Sequence, residues 1–151
     1  MEKTEKSRKM PETFTEKTGR SPEPLRENTR RVGAGYEEKA AEYLQSRGYF
    51  ILCRNFRCRQ GEIDLIARQG GYLVFIEVKY RRGKANGWPE EAVTPAKQRS
   101  ICRTADYYRL CRGYREDTPC RFDVVAILGE EITLYENAFF YRGSKKGKDC
   151  W

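Results

Sequence analysis

The apolar positions of the chain alternate between helical and extended spacing. From Tyr36 the apolar residues recur as a helical stripe that ends at Gly48. Three extended runs follow, and Thr94-Pro95 then starts a second helix, with threonine as N-cap and proline in the first turn. The predicted elements after the first helix are strands at 49–56, 62–67 and 72–80, a helix from 95 to about 112, and strands at 121–128 and 132–136.

This order, α-β-β-β-α-β-β, predicts an α/β fold with a single mixed β-sheet flanked by helices. We expect the folded domain to span residues 31–141. Residues 1–30 are rich in charge and carry few apolar side chains, which predicts a disordered N-terminal tail, and residues 142–151 predict a flexible C-terminal tail. With 38% hydrophobic residues, the chain has material for one modest core.

Composition adds a basic balance, with 30 Lys and Arg against 22 Asp and Glu and a net charge of +8. Such a balance favours an anionic partner, such as nucleic acid or a membrane surface, although a protein that is merely basic fits the charge equally well. No apolar run is long enough to span a bilayer, and the N-terminus lacks the apolar core of a secretory signal. We therefore expect a cytoplasmic protein that does not enter a membrane.

Two further features of composition narrow the chemistry. The chain contains no histidine, which excludes catalysis by Ser–His or Cys–His pairs. Its six cysteines include no C-x-x-C pair, so a structural zinc site is not expected. In a cytoplasmic protein the cysteines are expected to be reduced thiols.

Acidic residues stand in the most strand-like segment of this basic chain. If the hairpin closes through Gln69-Gly70, Glu62 faces Glu77, and Asp64 becomes a diagonal neighbour of Glu77 on one face of the sheet. Lys79 lies further along that face, because residues two apart on a strand share a face. The apolar residues expected on the opposite face are Ile63, Leu65, Val74, Ile76 and Val78.

Like charges opposed across a hairpin are destabilising, and a divalent cation reverses that balance. Two carboxylates that converge on a metal, with a lysine beside them, suit phosphodiester hydrolysis, because the metal activates a water and the lysine orients it or neutralises charge. The alternative interpretation of Asp64, Glu77 and Lys79 is a solvated sheet face with a few ion pairs.

Four blocks, GEIDLIA, VFIEVKYR, VTPAKQR and CRFDVVAI, occur in the order in which the YraN-like family has them. The chain resembles that family from about Gly33 to Ala138. The resemblance implies the restriction-endonuclease-like fold of the PD-(D/E)XK nuclease superfamily, near archaeal Holliday-junction resolvases. One departure is Tyr36, which stands where the family usually has glycine and could crowd the glutamate that follows it.

By position in these blocks, the resemblance makes Asp64, Glu77 and Lys79 catalytic. It makes Glu37, Asp64 and Glu77 the ligands of Mg²⁺ or Mn²⁺. For Glu37 an equally good interpretation is an exposed acid favoured by the helix dipole. Asp123, in the R-F-D block, is interpreted mainly as the ion-pair partner of Arg121.

The residues expected to contact nucleic acid are Arg57, Arg59, Arg81, Arg82, Lys97 and Gln98. For Gln98 a solvated helix position is the competing interpretation. These features together predict a metal-dependent endonuclease. Its expected nucleic-acid partner is DNA rather than RNA, with branched or damaged DNA as candidate substrates. The alternatives are a nucleic-acid-binding adaptor without turnover of its own and a protein-interaction module. Junction resolvases work as dimers, so a homodimer is an expectation by analogy, while the sequence itself leaves the oligomeric state open.

Overall fold

The structure, a computed structural model, describes residues 25–81 and 93–143. The predicted order of elements and the α/β class are confirmed. The elements are α1 (Leu25–Ser46), β1 (Phe50–Cys58), β2 (Gly61–Gln69), β3 (Tyr72–Arg81), α2 (Pro95–Cys111), β4 (Cys120–Leu128) and β5 (Glu131–Tyr135). Neither helix within these ranges is long and apolar enough to cross a membrane.

Helix α1 begins at Leu25, inside the segment that was expected to be a disordered tail. Its first turns, LRENTRR, contain good helix formers but almost no apolar residues. The apolar stripe of this helix becomes visible in the sequence only after these turns. The predicted start of the domain, residue 31, therefore lies inside the helix. The rest of that predicted tail, residues 1–24, and the predicted C-terminal tail from residue 144 lie outside the described residues.

The five strands form one mixed sheet in the order β1-β2-β3-β4-β5, in which only β3 and β4 run parallel. Helix α2 connects these two parallel strands. The β2–β3 hairpin turns through Gly70 and Gly71, at φ of 55° and 88°, so that Gln69 pairs with Tyr72. The predicted closure through Gln69-Gly70 is wrong, because two consecutive left-handed residues make a tight two-residue turn one position later.

Both faces of the sheet are covered, each by one helix. The α1 face buries Leu65, Val74 and Ile76 against Ala40, Ala41 and Leu44, which are fully buried residues of α1. The α2 face buries Phe75 among the apolar residues Ile63, Ile66, Phe122, Ile101, Ala105 and Tyr108. The face that carries Glu77 is therefore the α2 face, covered by protein at its centre instead of being open to water.

A buried ion pair ties the sheet together on the face opposite Glu77, where Asp123 of β4 lies level with Ile76 of β3. Asp123 is fully buried and accepts four hydrogen bonds of 2.9 Å, from Arg121 Nε and Nη2, the Tyr49 hydroxyl and the Asn137 amide. Arg121 also donates to Gln69 Oε1 at 3.1 Å. Every oxygen of this carboxylate is satisfied, which agrees with the structural role predicted for Asp123.

Replacing Asp123 by alanine tests that role. The change leaves the Arg121 guanidinium without its charge partner in the interior, so the free energy of unfolding should fall by about 3–5 kcal/mol. Urea denaturation followed by circular dichroism measures it. The matched control is Asp117→Ala, whose partner Arg115 lies in an exposed turn, with side-chain exposures of 69% and 84%. That variant should stay within about 0.5 kcal/mol of wild type, and an equal loss in both variants would contradict the assignment.

Candidate metal centre

The alternation of faces along β2 reverses at Asp64. Ile66 packs on the α2 face and Leu65 on the α1 face, as alternation requires. Ile63, however, packs on the α2 face, although it was predicted to lie on the same face as Leu65. The strand is therefore distorted at Asp64, between two segments of opposite facing.

The neighbouring strand β1 is irregular at the same level. Phe56 pairs with Ile63, so Asn55 lies level with Asp64. Asn55 has a left-handed backbone, with φ of 52°, inside the strand. The irregularity is thus shared by β1 and β2, and it coincides with the acidic residue of interest.

Asp64 also lies where β2 leaves β3. The β2–β3 ladder ends at the pair Leu65 with Ile76, and the same register places Asp64 level with Glu77. Beyond that pair, the Val78 amide donates to Asp64 Oδ2 at 2.8 Å. The two carboxylates are therefore adjacent across the strands, closer in register than the diagonal arrangement predicted from the sequence.

Glu77 is the buried acid of the site, with only 4% of its surface exposed. Its Oε1 lies 2.9 Å from Lys79 Nζ and 3.4 Å from Lys97 Nζ. Its Oε2 is buried and has no hydrogen-bond partner among the residues that the structure describes. A buried carboxylate oxygen without a partner carries a free-energy cost, and a cation would remove that cost.

A cleft of about 330 Å³ opens beside these residues and is shared by both helices and the sheet. Glu37 lines it from α1, and its Oε2 accepts a hydrogen bond of 2.7 Å from Asn55 Nδ2. Tyr36 stacks on Tyr80, with ring centroids 3.5 Å apart and 16° between the planes. That stacking contact draws Tyr36 to β3. The further acidic and basic residues lining the cleft are Glu62, Asp64, Glu77, Lys79 and Lys97.

Burial and negative charge act together on Asp64. Burial is the larger cause and the charge of Glu77 the second, and with a further contribution from Glu37 they raise the pKa of Asp64 from 3.8 to about 7. The Val78 amide and Lys97 oppose the rise. Without a cation, the Asp64 carboxyl therefore retains its proton at pH values at which a free aspartate is ionised, because the site disfavours another negative charge.

The donor set fits a hard divalent cation with few protein ligands. Within residues 25–81 and 93–143, no three acidic or cysteine side chains are gathered into a ready-made metal cage. Mg²⁺ is usually held by one or two carboxylates and keeps several waters. The unpaired Oε2 of Glu77 and the half-buried Asp64 supply that number of ligands, with Glu37 at the edge of the same cleft.

The predicted nucleic-acid contacts have different environments. Arg57, Arg59 and Arg81 are exposed at the edge of the sheet beside the cleft, where β1 and β3 end and β2 begins. Arg57 Nε lies 3.3 Å from Glu62. Arg82 lies outside the described residues. Lys97 belongs to the site itself, next to Glu77.

Gln98 does not fit a direct contact with nucleic acid, nor the solvated position that competed with it. Its side chain is only 8% exposed and donates from Nε2 to the Val93 carbonyl at 2.9 Å. This bond ties the start of α2 to the preceding segment. Its Oε1 is buried and has no hydrogen-bond partner among the described residues.

Comparison with known proteins shows the family to which the chain belongs. Residues 36–127 match the family described as Uncharacterised protein family UPF0102. The chain belongs to this family. It is the YraN-like family that the sequence blocks indicated, so that resemblance is confirmed.

Close relatives in UPF0102 cover most of the chain. A UPF0102 protein of Lachnoclostridium phytofermentans is 56% identical over 117 residues, which are 78% of this chain and 99% of the relative. One of Symbiobacterium thermophilum is 58% identical over 99 residues, 66% of this chain and 83% of the relative. One of Caldicellulosiruptor saccharolyticus is 45% identical over 118 residues, 74% of this chain and 99% of the relative.

Sequence reasoning missed two contributors to the site in this UPF0102 chain. Lys97 was predicted to bind phosphate, and its contact with Glu77 was not predicted. The distance between these residues depends on how α2 packs on the sheet, which the local sequence does not show. Asn55 was not singled out at all. An asparagine inside a strand is disfavoured, and that local conflict was the available signal.

The raised pKa of Asp64 predicts a pH-dependent gain from removing its charge. Unfolded Asp64 has its ordinary pKa near 3.8, so folding retains a proton that the unfolded chain releases between pH 4 and 7. The wild-type stability contributed by this group therefore falls from about pH 4 to about pH 7 and then levels off. Asp64→Asn should stabilise the protein at pH 8 by at least roughly 1 kcal/mol, with little gain at pH 4.

Thermal melts in EDTA at pH 4 to 8 measure the difference between Asp64→Asn and wild type. The same series on Asp117→Asn, in an exposed turn, corrects for Asp-to-Asn replacement in general. A gain that is constant with pH, or a loss at pH 8, would show that Asp64 is ionised without penalty.

Proposed function

We propose that this protein is a metal-dependent endonuclease that hydrolyses phosphodiester bonds in DNA, with branched or damaged DNA as candidate substrates. The observation that carries the proposal is the buried Glu77 carboxylate. Its Oε2 has no hydrogen-bond partner in the described part of the chain, and Asp64 lies level with Glu77 on β2. Two acids gain little from such proximity unless a cation joins them.

Mg²⁺ or Mn²⁺ would be held by Asp64 and Glu77, with Glu37 as the third acid at the cleft. When bound, such an ion polarises a phosphoryl oxygen and lowers the pKa of a bound water. The chain's own residues bring the acids together and shield Glu77 from solvent.

Lys79 is the residue proposed to act on the attacking water. Its Nζ is 2.9 Å from Glu77 Oε1, and about a third of the side chain is exposed to the cleft, so it can reach both carboxylate and substrate. There it orients the water that attacks phosphorus and neutralises the charge that develops as the P–O bond to the leaving oxygen breaks. Lys97, 3.4 Å from the same carboxylate oxygen, adds a second positive charge.

The surroundings of the cleft suit a polyanion. Arg57, Arg59 and Arg81 are exposed at the sheet edge beside the cleft, where β1 and β3 end and β2 begins. The whole chain carries a net charge of +8. Assembly as a homodimer, by analogy with junction resolvases, stays a prediction that light scattering decides.

The direct test is cleavage of linear duplex, single-stranded and four-way-junction DNA by the full chain with Mg²⁺ or Mn²⁺. Asp64→Asn, Glu77→Gln and Lys79→Met should each lower the cleavage rate by at least about 100-fold, because each removes a charged group at the reacting phosphate. Arg115→Ala, at the exposed turn remote from the cleft, is the control and should cleave at the wild-type rate.

Two outcomes of this assay would redirect the assignment. Binding of DNA without cleavage of any substrate would favour the nucleic-acid adaptor. Cleavage that survives Asp64→Asn and Glu77→Gln would place the activity elsewhere or in a contaminant.

Salt dependence tests the basic surface separately. If Arg59 and Arg81 each neutralise one phosphate, replacing either by alanine should reduce the slope of log K against log [salt] by about 1. Fluorescence anisotropy with labelled DNA, at salt concentrations from about 50 to about 300 mM, measures that slope. Arg112→Ala, an exposed residue at the far end of α2, is the matched control. An unchanged slope in both arginine variants would remove them from the interface.

A further inference from the structure

Asn55 adopts a backbone conformation that a strand does not need. Its φ of 52° lies in the left-handed region, which among non-glycine residues of the described chain is shared only with Asn137. Such a conformation is strained for most residues and persists only where the surroundings enforce it. Asparagine tolerates it better than most residues.

In this conformation the Asn55 side chain contacts helix α1. Asn55 lies level with Asp64 on the adjacent strand, and its side chain donates from Nδ2 to Glu37 Oε2 at 2.7 Å. The residue before it, Arg54, pairs with Glu38 of the same helix. Two consecutive residues of β1 therefore bind two consecutive acids of α1, but only one of those acids lines the cleft.

Glu37 needs such a hold if it is to stay at the cleft. The charges of Asp64 and Glu77 both lie near it, and repulsion between like charges would favour a rotamer that takes Glu37 out to solvent. A hydrogen bond from a neutral amide to one carboxylate oxygen opposes that repulsion and leaves the second oxygen available.

We propose that Asn55 is a positioning residue that holds the Glu37 carboxylate at the cleft, so that Glu37 contributes to cation binding alongside Asp64 and Glu77. This inference rests on the proposed metal-dependent function. The helix-dipole interpretation of Glu37 is wrong, because α1 begins at Leu25 and Glu37 lies in the middle of the helix, away from either end.

The test is Mn²⁺ binding by isothermal titration calorimetry, with no DNA present. Asn55→Gly keeps the left-handed backbone free of strain and removes the amide, so it should weaken Mn²⁺ binding roughly 10-fold, the range seen for residues that orient metal ligands. Glu37→Gln should weaken binding by at least as much. In the Glu37→Gln background, Asn55→Gly should then have no further effect.

Arg54→Ala is the matched control. It removes the neighbouring β1–α1 contact without touching an acid that lines the cleft, and it should leave Mn²⁺ affinity unchanged. If Asn55→Gly does not fold, Asn55→Ser replaces it, because serine removes the amide without adding a charge beside Glu37. Its effect on Mn²⁺ affinity should likewise vanish in the Glu37→Gln background.

The outcomes separate this inference from the proposed function. Weakening by Asn55→Gly that persists in the Glu37→Gln background would mean that Asn55 acts through the fold, and unchanged affinity would mean that it does not act at all. Either result overturns the inference while the wild-type protein still binds Mn²⁺ and cleaves DNA. Failure of the wild-type protein to bind Mn²⁺ would overturn both.

Discussion

Glu77 is a carboxylate that the fold removes from water without giving it a full set of partners. Two lysines approach its Oε1, while its Oε2 is buried and finds no hydrogen-bond partner within residues 25–81 and 93–143. Burial of Asp64, together with the charge of Glu77, raises the pKa of Asp64, and Lys79 and Lys97 both approach one oxygen of Glu77. The free Oε2 of Glu77 lowers the stability of the fold, and a bound cation would remove that cost.

The same sheet contains a second buried carboxylate that shows what full satisfaction looks like. Asp123 accepts four hydrogen bonds, two of them from Arg121, and leaves no oxygen unpaired. Both acids stand on central strands and are almost fully buried. The difference between them separates a structural acid from a candidate functional one on physical grounds, independent of the family to which the chain belongs.

Distortion of the sheet is what brings the remaining groups to Glu77. The β2–β3 ladder ends just before Asp64, and the alternation of faces reverses there. On β1 the left-handed Asn55 stands at the same level and binds Glu37. A regular sheet would keep its acids on one flat face, whereas this local divergence opens a cleft that α1 and α2 both reach.

The sequence by itself determined the order of the elements, the N-cap at Thr94 and the shared face of Glu77 and Lys79, since all three follow from local spacing and chemistry. Only the tertiary structure decided the hairpin register, the cover that α2 lays over Glu77, and the contacts of Lys97 and Asn55 with acids on other elements. Local periodicity says which way a side chain faces along its own element. How far it lies from a group on another element depends on turn conformation and on packing between segments distant in sequence.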